Sequence, residues 1–235
     1  MTLNPIPLRA ESTLECRTCG AGAPVDEHFC PQCTRILALD RHGDYFTFFG
    51  LPRRLNLDPK DLEARFRDLS RKFHPDFYYN ADASERLASL ERASYLNDAY
   101  RVLRSVPDRA EYLLSLEGLP PVKADSHSAS VKVPPQLLEE VFALNEELDE
   151  IRELREAGAE AAKLRARLEA ARRPIEQKRD AHEAQLRELS VTWDAQEGDA
   201  AGRKATLSML RERLLERTYI SNLLQTIERE VNALG

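Results

Sequence analysis

The chain has 235 residues, of which 31% are charged and only 7% aromatic. This composition favours helices over a β-sandwich, because sheets draw on aromatic and β-branched side chains. Its 34 basic and 40 acidic residues leave a formal charge of −6, which argues against a non-specific nucleic-acid binder. The mean hydropathy of −0.51 and the lack of an apolar run of membrane-spanning length predict no membrane-spanning segment.

Composition shifts along the chain predict five segments. Prolines concentrate near the amino end and again after residue 117, where serines accompany them, and the second stretch is typical of a linker. All four cysteines lie within the first 33 residues, whereas helical signals fill 44–117 and 136–235. The predicted segments are a flexible leader (1–12), a four-cysteine module (13–40), a helical domain (44–117), a linker (118–135) and a helical bundle (136–235).

The cysteines form two Cys-x-x-Cys pairs, Cys16 with Cys19 and Cys30 with Cys33. A two-residue gap lets two thiolates on one tight turn face the same ion, and Gly20 supplies the permissive backbone that such a turn needs. Two pairs make a tetrahedral sulfur cage, which suits a structural Zn²⁺ with no open coordination position. Two disulfides, free thiols and bound iron are the alternatives. We interpret His28 as a polar loop residue rather than a ligand.

The helical domain is predicted to contain a helical hairpin around a His-Pro-Asp loop. Asp58 and Pro59 mark the start of a basic amphipathic helix, as its N-cap and its first helical residue. Pro75 ends this helix, because proline disfavours α geometry in the residue before it. A second long helix is predicted over 84–103, with these inward side chains: Leu87, Leu90, Leu96, Tyr100 and Leu103. No nucleophile signature or glycine-rich phosphate loop lies nearby, so we predict that the protein is not an enzyme.

This domain resembles a J domain, the signature module of DnaJ-type co-chaperones. The resemblance is carried by Asp44-Tyr45-Phe46, Phe66, Phe73-His74-Pro75-Asp76 and the run Leu96-Asn97-Asp98-Ala99-Tyr100-Arg101-Val102-Leu103. It implies that the domain stimulates ATP hydrolysis by a DnaK-type chaperone. It also implies two sets of chaperone-binding residues, namely the loop residues His74, Pro75 and Asp76 and the cations Arg65, Arg71 and Lys72. Phe77 departs from the pattern, since many J domains have lysine there.

The region 136–235 is predicted to form an antiparallel three-helix bundle, because its first and last helices repeat apolar residues at spacings of 4 and 3. The two seams are Leu137, Val141, Leu144, Leu148 and Ile151, and Ile220, Leu224, Ile227, Val231 and Leu234. Leu138 and Phe142 each follow a seam residue of the first helix, so they lie beside the seam, among acidic residues. Tyr219 lies beside the seam of the last helix. We interpret them as an exposed apolar patch. Ordinary core packing is the alternative, since globular helices often use a wide apolar face.

A J domain followed by an acidic bundle is similar to the HscB family of iron–sulfur cluster co-chaperones. The resemblance covers 44–235 and includes Arg109-Ala110-Glu111-Tyr112-Leu113-Leu114-Ser115-Leu116 and Asn145-Glu146-Glu147-Leu148-Asp149-Glu150. It implies that the bundle binds an IscU-type scaffold protein through Leu138, Phe142, Glu146 and Tyr219. It also implies a DnaK/HscA-type chaperone as the second partner. The cysteine module resembles the amino-terminal zinc-binding extension of some members.

The sequence therefore predicts an all-α fold: a J-domain helical hairpin plus a carboxy-terminal antiparallel three-helix bundle, preceded by a small four-cysteine zinc module. The hypothesis is a co-chaperone for iron–sulfur cluster biogenesis, located in a bacterial cytoplasm rather than a mitochondrial matrix, with no nucleic-acid or membrane partner. The alternative is a general DnaJ-type co-chaperone for unfolded clients, whose helical tail forms a homodimer. A second alternative makes the cysteines a redox or iron-handling site.

Overall fold

The computed structural model describes residues 13–24, 26–39, 43–120 and 137–234. Over these residues the chain forms seven α-helices and one short β-hairpin, which confirms the predicted all-α class. It divides between Leu116 and Glu117 into two compact units. The predicted leader (1–12) and the part of the predicted linker after residue 120 lie outside the described residues. No helix in the described ranges combines the length and apolarity that crossing a membrane requires.

The first unit begins with the cysteine module. Strand β1 (Thr13–Glu15) pairs antiparallel with β2 (Gly22–Pro24), and the turn between them contains the first cysteine pair. A second turn contains Cys30 and Cys33 and is closed by an antiparallel bridge between Phe29 and Ile36. The module is therefore two turns of similar size, each closed by backbone pairing.

Four helices complete the first unit, and polar caps set where the longer ones begin. They are α1 (Tyr45–Phe48), α2 (Pro59–Lys72), α3 (Ala83–Leu103) and α4 (Val106–Leu116). The carboxylate of Asp58 accepts from the backbone N–H of Lys60, and that of Asp82 accepts from the N–H groups of the first turn of α3. Their fully buried core side chains include Phe46, Phe48, Leu62, Phe73, Leu96 and Leu103.

The inward face of α3 differs from the prediction. Leu87 and Leu90 are 56% and 55% exposed, so their predicted inward placement is wrong. The buried positions are instead Ala88, Ser89, Arg92, Leu96, Ala99 and Leu103. The physical reason is Arg92, whose completely buried guanidinium donates to backbone carbonyl oxygens of the cysteine module. Because Arg92 interrupts the apolar repeat on this face of α3, the sequence pattern does not reveal that the face is buried.

The second unit is the predicted bundle. Helices α5 (Leu138–Glu156), α6 (Ala161–Ala195) and α7 (Ala200–Asn232) follow one another with short breaks, so the chain reverses twice. The buried seam residues include Leu144, Leu148, Ile151, Leu164, Leu168, Ile175, Ile220 and Ile227. Two ion pairs join α5 to the other helices. Arg152 of α5 pairs with Glu230 of α7, and Glu147 of α5 pairs with Arg167 of α6.

Candidate functional site

The structure brings the four cysteine sulfurs together. All four Sγ atoms lie within 4.8 Å of one another, with Cys16 Sγ 3.8 Å from Cys33 Sγ and Cys19 Sγ 3.7 Å from Cys30 Sγ. An ion with tetrahedral bonds of about 2.3 Å to sulfur has sulfur–sulfur edges of about 3.8 Å. A disulfide requires a separation of about 2.05 Å. The cysteines are free, and their spacing fits a metal ion bound by four thiolates.

The two cysteine turns, which we call the first knuckle (16–21) and the second knuckle (30–35), have the same backbone hydrogen bonds. In the first knuckle, the N–H of Cys16 donates to the carbonyl oxygen of Ala21, and the N–H of Gly20 donates to the carbonyl oxygen of Cys16. In the second, Cys30 and Thr34 make the same two bonds, to the carbonyl oxygens of Arg35 and Cys30. The fourth position after the first cysteine requires a left-handed backbone. Gly20 fills it in the first knuckle with φ 73°, as predicted, and Thr34 fills it in the second with φ 59°.

Repulsion between the cysteines opposes ionisation of all four thiols at once. Burial opposes ionisation of Cys16, but N–H groups of its own knuckle and the Cys30 thiol outweigh it and lower the pKa of Cys16 to about 6. The backbone N–H of Arg35 favours the Cys33 thiolate, but desolvation and the three other thiols raise the pKa of Cys33 to about 12. A divalent cation would remove this repulsion, so the electrostatics of the cluster also fit a bound metal.

His28 is not a ligand, although it lies close to the second knuckle in sequence. Its Nδ1 is 2.7 Å from Arg92 Nη1, and its Nε2 is 3.0 Å from the carbonyl oxygen of Phe48. A guanidinium can only donate, so Nδ1 accepts and Nε2–H donates to Phe48. Burial and the Arg92 charge lower the pKa of His28 to about 4. Sequence reasoning missed this role, because its partners are 20 and 64 residues away.

The His-Pro-Asp loop forms an exposed corner between α2 and α3. Residues Pro75–Tyr78 make a single 3₁₀ turn, and His74 caps it, since its Nδ1 accepts from the N–H of Asp76 at 3.3 Å. The side chains of His74 and Asp76 are 55% and 85% exposed. Immediately before them, Phe73 is completely buried. The corner is therefore a polar, accessible turn that begins at a fixed core residue.

The three predicted cations of α2 differ in what they contact. Arg65 donates to the carbonyl oxygens of Phe49 and Gly50 at 3.1 and 3.2 Å, so it joins α2 to the end of α1. Lys72 pairs with Asp68 at the helix surface. Arg71 is exposed, and among the described residues no carboxylate pairs with it. Arg71 is thus available to a partner and Lys72 is held only by an exposed pair, whereas Arg65 is partly committed to the fold.

The predicted scaffold-binding residues lie on two helices of the bundle. Leu138 and Phe142, which are 39% and 66% exposed, form one row on α5 with Glu146, which is also exposed. We call these three residues the α5 ridge. Tyr219 of α7 is partly buried against the bundle core, and desolvation raises its pKa. The structure therefore gives the ridge an accessible apolar surface, while Tyr219 contributes partly to the core.

Comparison with known proteins adds two likenesses that extend over most of the chain. No family model matches it. The crystal structure of the human co-chaperone protein HscB is similar with a TM-score of 0.68 and 25% identity, covering 92% of this chain and 98% of that one. Chaperone HscB from Vibrio cholerae is similar with a TM-score of 0.57 and 28% identity, covering 82% of this chain and 99% of that one. Together with the His-Pro-Asp corner and the three-helix bundle, these likenesses support an HscB-family protein.

Proposed function

We propose that the protein is a co-chaperone for iron–sulfur cluster biogenesis that has two docking faces and no active site of its own. The His-Pro-Asp corner stimulates the ATPase of a DnaK/HscA-type chaperone, and the bundle delivers an IscU-type scaffold protein. The observation that carries the proposal is the placement of an exposed polar corner on one compact unit and an exposed apolar ridge on the other. In this proposal, binding of the scaffold and activation of the chaperone are thermodynamically coupled through the same chain.

The chaperone half of the proposal rests on the shape and charge of the corner. His74, Pro75 and Asp76 are accessible, and they follow a helix whose last turn contains Arg71 and Lys72. Basic side chains at the edge of a contact increase the rate of encounter with an acidic partner and favour one orientation. The hydrogen bond from the Asp76 N–H to the His74 side chain favours one conformation of the turn that presents these residues.

The scaffold half rests on the α5 ridge. An exposed phenylalanine in the middle of a row with Leu138 is the kind of anchor that dominates protein–protein affinity. Helix α5 contains eight acidic and two basic residues, so the ridge is surrounded by negative charge. A complementary partner would have an apolar pocket with a basic rim.

The metal of the cysteine cluster is proposed to be Zn²⁺ with a structural role. Four thiolate ligands complete a tetrahedral shell and leave no position for a substrate. Mononuclear iron also accepts four thiolates, so metal analysis of the purified protein decides between the two ions. Cysteines that are not joined as disulfides fit a reducing compartment, and we propose a bacterial cytoplasm.

The alternative of a general DnaJ-type co-chaperone requires the helical tail to form a dimer. The two seams that would provide a coiled-coil interface are buried within the bundle of a single chain, as Leu148 and Ile227 show at 2% and 0% exposure. This burial favours the scaffold-specific function. An aggregation assay with a denatured client protein separates the two, since only the general co-chaperone would protect it.

The chaperone half is tested by measuring ATP hydrolysis of a DnaK-type chaperone with the full chain, with and without an IscU-type scaffold. We expect stimulation that increases when the scaffold is present. His74→Gln should abolish it without lowering the melting temperature, because His74 is exposed. Scaffold binding by the same variant should be unchanged, and loss of both activities would show a folding defect instead. Exposed Lys60→Gln, at the opposite end of α2, is the control and should stimulate normally.

A further inference from the structure

We propose that the cysteine module supports the His-Pro-Asp loop, so that metal bound at the four cysteines fixes the residue at which the loop begins. This inference rests on the proposed function of the loop. It makes chaperone activation depend on whether the module contains its metal, although within the described residues no hydrogen bond joins a cysteine to the chaperone-binding residues. The contacts that link the two run from the second knuckle, through Arg92, to Phe73.

The second knuckle continues directly into the core of the first unit. Beyond the bridge between Phe29 and Ile36, the N–H of Leu37 donates to the carbonyl oxygen of His28 at 3.0 Å. Ile36 is buried in the same core as the aromatic residues of α1 and α2, and Phe29 packs against it. The two chain segments leaving the knuckle are therefore part of the helical core.

Arg92 of α3 joins this knuckle to the helices. It is completely buried, and its guanidinium donates to the carbonyl oxygens of Leu37 at 2.7 Å and Ala38 at 3.1 Å and to Nδ1 of His28. A buried guanidinium is destabilising unless its donors are satisfied. All three of these acceptors belong to the cysteine module, so α3 requires the module in place.

Phe73 links the module to the loop. Its ring centroid lies 4.9 Å from that of His28 and 6.0 Å from that of Phe29, and the Arg92 guanidinium lies 5.6 Å from it. The hydroxyl of Ser89 donates to the Phe73 carbonyl oxygen at 2.8 Å. Side chains of the module and of α3 thus enclose the residue that immediately precedes His74.

Loss of the metal would act along this chain of contacts. The module's own buried cluster contains little besides its cysteines, Ala23 and Leu37, so the ion supplies much of the free energy that keeps both knuckles folded. Without the metal, Arg92 would lose acceptors, and Phe73 would lose its ring contacts with His28 and Phe29. The bundle contributes none of these contacts among the described residues, so its own stability should not change.

Hydrogen exchange on the full chain tests the inference with a readout that does not depend on any partner. The zinc-loaded protein is compared with the same protein after removal of zinc by a chelator, with metal content measured in both. We expect the amides of Phe73 and Phe77 to exchange about tenfold faster or more without zinc, and those of α5 to α7 to stay unchanged. Unchanged exchange at Phe73 in zinc-free protein would overturn the proposal.

A second variant breaks the joint and leaves the metal in place. Arg92→Lys keeps the charge but cannot reach all three acceptors, so it should reproduce the faster exchange of Phe73 with zinc still bound. Arg35→Lys is the matched control, because Arg35 also joins the module to α3, through exposed pairs with Asp82 and Glu85. Arg35→Lys should exchange like the wild type. Equal exchange in the wild type and the Arg92→Lys variant would contradict the proposed joint.

Chaperone assays on the same samples separate this inference from the proposed function. Zinc-free protein should lose most of its ATPase stimulation and still bind the scaffold. If zinc-loaded wild-type protein does not stimulate the chaperone, the proposed function fails, and the exchange of Phe73 still decides whether the module supports the loop.

Discussion

The His-Pro-Asp corner and the α5 ridge are both exposed, but their surroundings differ. The corner follows a core in which His28, Phe73 and Arg92 meet from distant parts of the chain. The ridge consists of side chains four residues apart on one helix, above a seam that the same helix buries. A substitution at the ridge should therefore change scaffold binding more than it changes stability. At the corner, substitutions of buried residues that the chaperone does not contact should also reduce chaperone activation.

The largest effect on the ridge side of this comparison is expected from Phe142→Ala. Because Phe142 is 66% exposed, its removal should leave the melting temperature almost unchanged. Scaffold binding should weaken by about 1–3 kcal/mol, the range of an interface hot spot. Val191→Ala on α6, where Val191 is 58% exposed, is the control and should bind normally. Calorimetric titration with an IscU-type scaffold measures both, and a large drop in melting temperature would assign Phe142 to the core.

A sharper comparison uses two leucines of α5 with the same exposure. Leu138 and Leu154 are each 39% exposed, but only Leu138 belongs to the ridge. Leu138→Ala and Leu154→Ala should therefore cost similar unfolding free energy, whereas only Leu138→Ala should weaken scaffold binding, by about 1 kcal/mol. Equal affinities of the two variants would show that the ridge does not define the contact.

A smaller effect is expected from the cations beside the corner. Replacing Arg71 and Lys72 together by glutamine should slow association with the chaperone several-fold at low salt and much less at high salt, because steering charges are screened. Arg65→Gln should instead lower the free energy of unfolding by about 1 kcal/mol, since two backbone carbonyls lose their donor. Stopped-flow association at two ionic strengths and urea unfolding distinguish these roles. The same salt dependence for Arg65→Gln would contradict this division.

The smallest effect concerns the cap of α3, which follows the corner. The hydroxyl of Ser84, the N–H groups of Glu85 and Ser84 and the charge of Arg35 lower the pKa of Asp82 to about 2. A lowered carboxyl pKa stabilises the fold above the ordinary value near 4, and this contribution disappears as the pH falls towards 2. Wild type should therefore unfold at higher urea than Asp82→Asn at pH 6, and the difference should vanish on acidification. A difference that stays constant with pH would contradict this cause.

The sequence was sufficient for the elements whose signals are local. Cysteine spacing predicted the sulfur cluster, Asp58 and Pro59 predicted the start of α2, and the apolar spacing predicted the buried seam of α5 together with the exposed Leu138 and Phe142. These signals depend on neighbours within one or two turns. These features can therefore be predicted from short stretches of sequence, without the rest of the fold.

Contacts between distant segments could not be predicted in this way. The apolar pattern placed Leu87 and Leu90 inward, because nothing local shows that Arg92 has backbone acceptors 55 and 54 residues away. The same limit hid the role of His28 in the core. Thr34 gave no signal either, because threonine rarely adopts the positive φ that the second knuckle requires.

If one chain has two docking faces that act independently, two variants measured in a paired assay should separate them. Scaffold affinity and scaffold-free ATPase stimulation are measured on His74→Gln and on Phe142→Ala. We expect His74→Gln to lose stimulation at unchanged scaffold affinity, and Phe142→Ala to lose affinity at unchanged scaffold-free stimulation. If each variant loses both properties while its melting temperature stays that of the wild type, the two faces are not independent and the account is wrong.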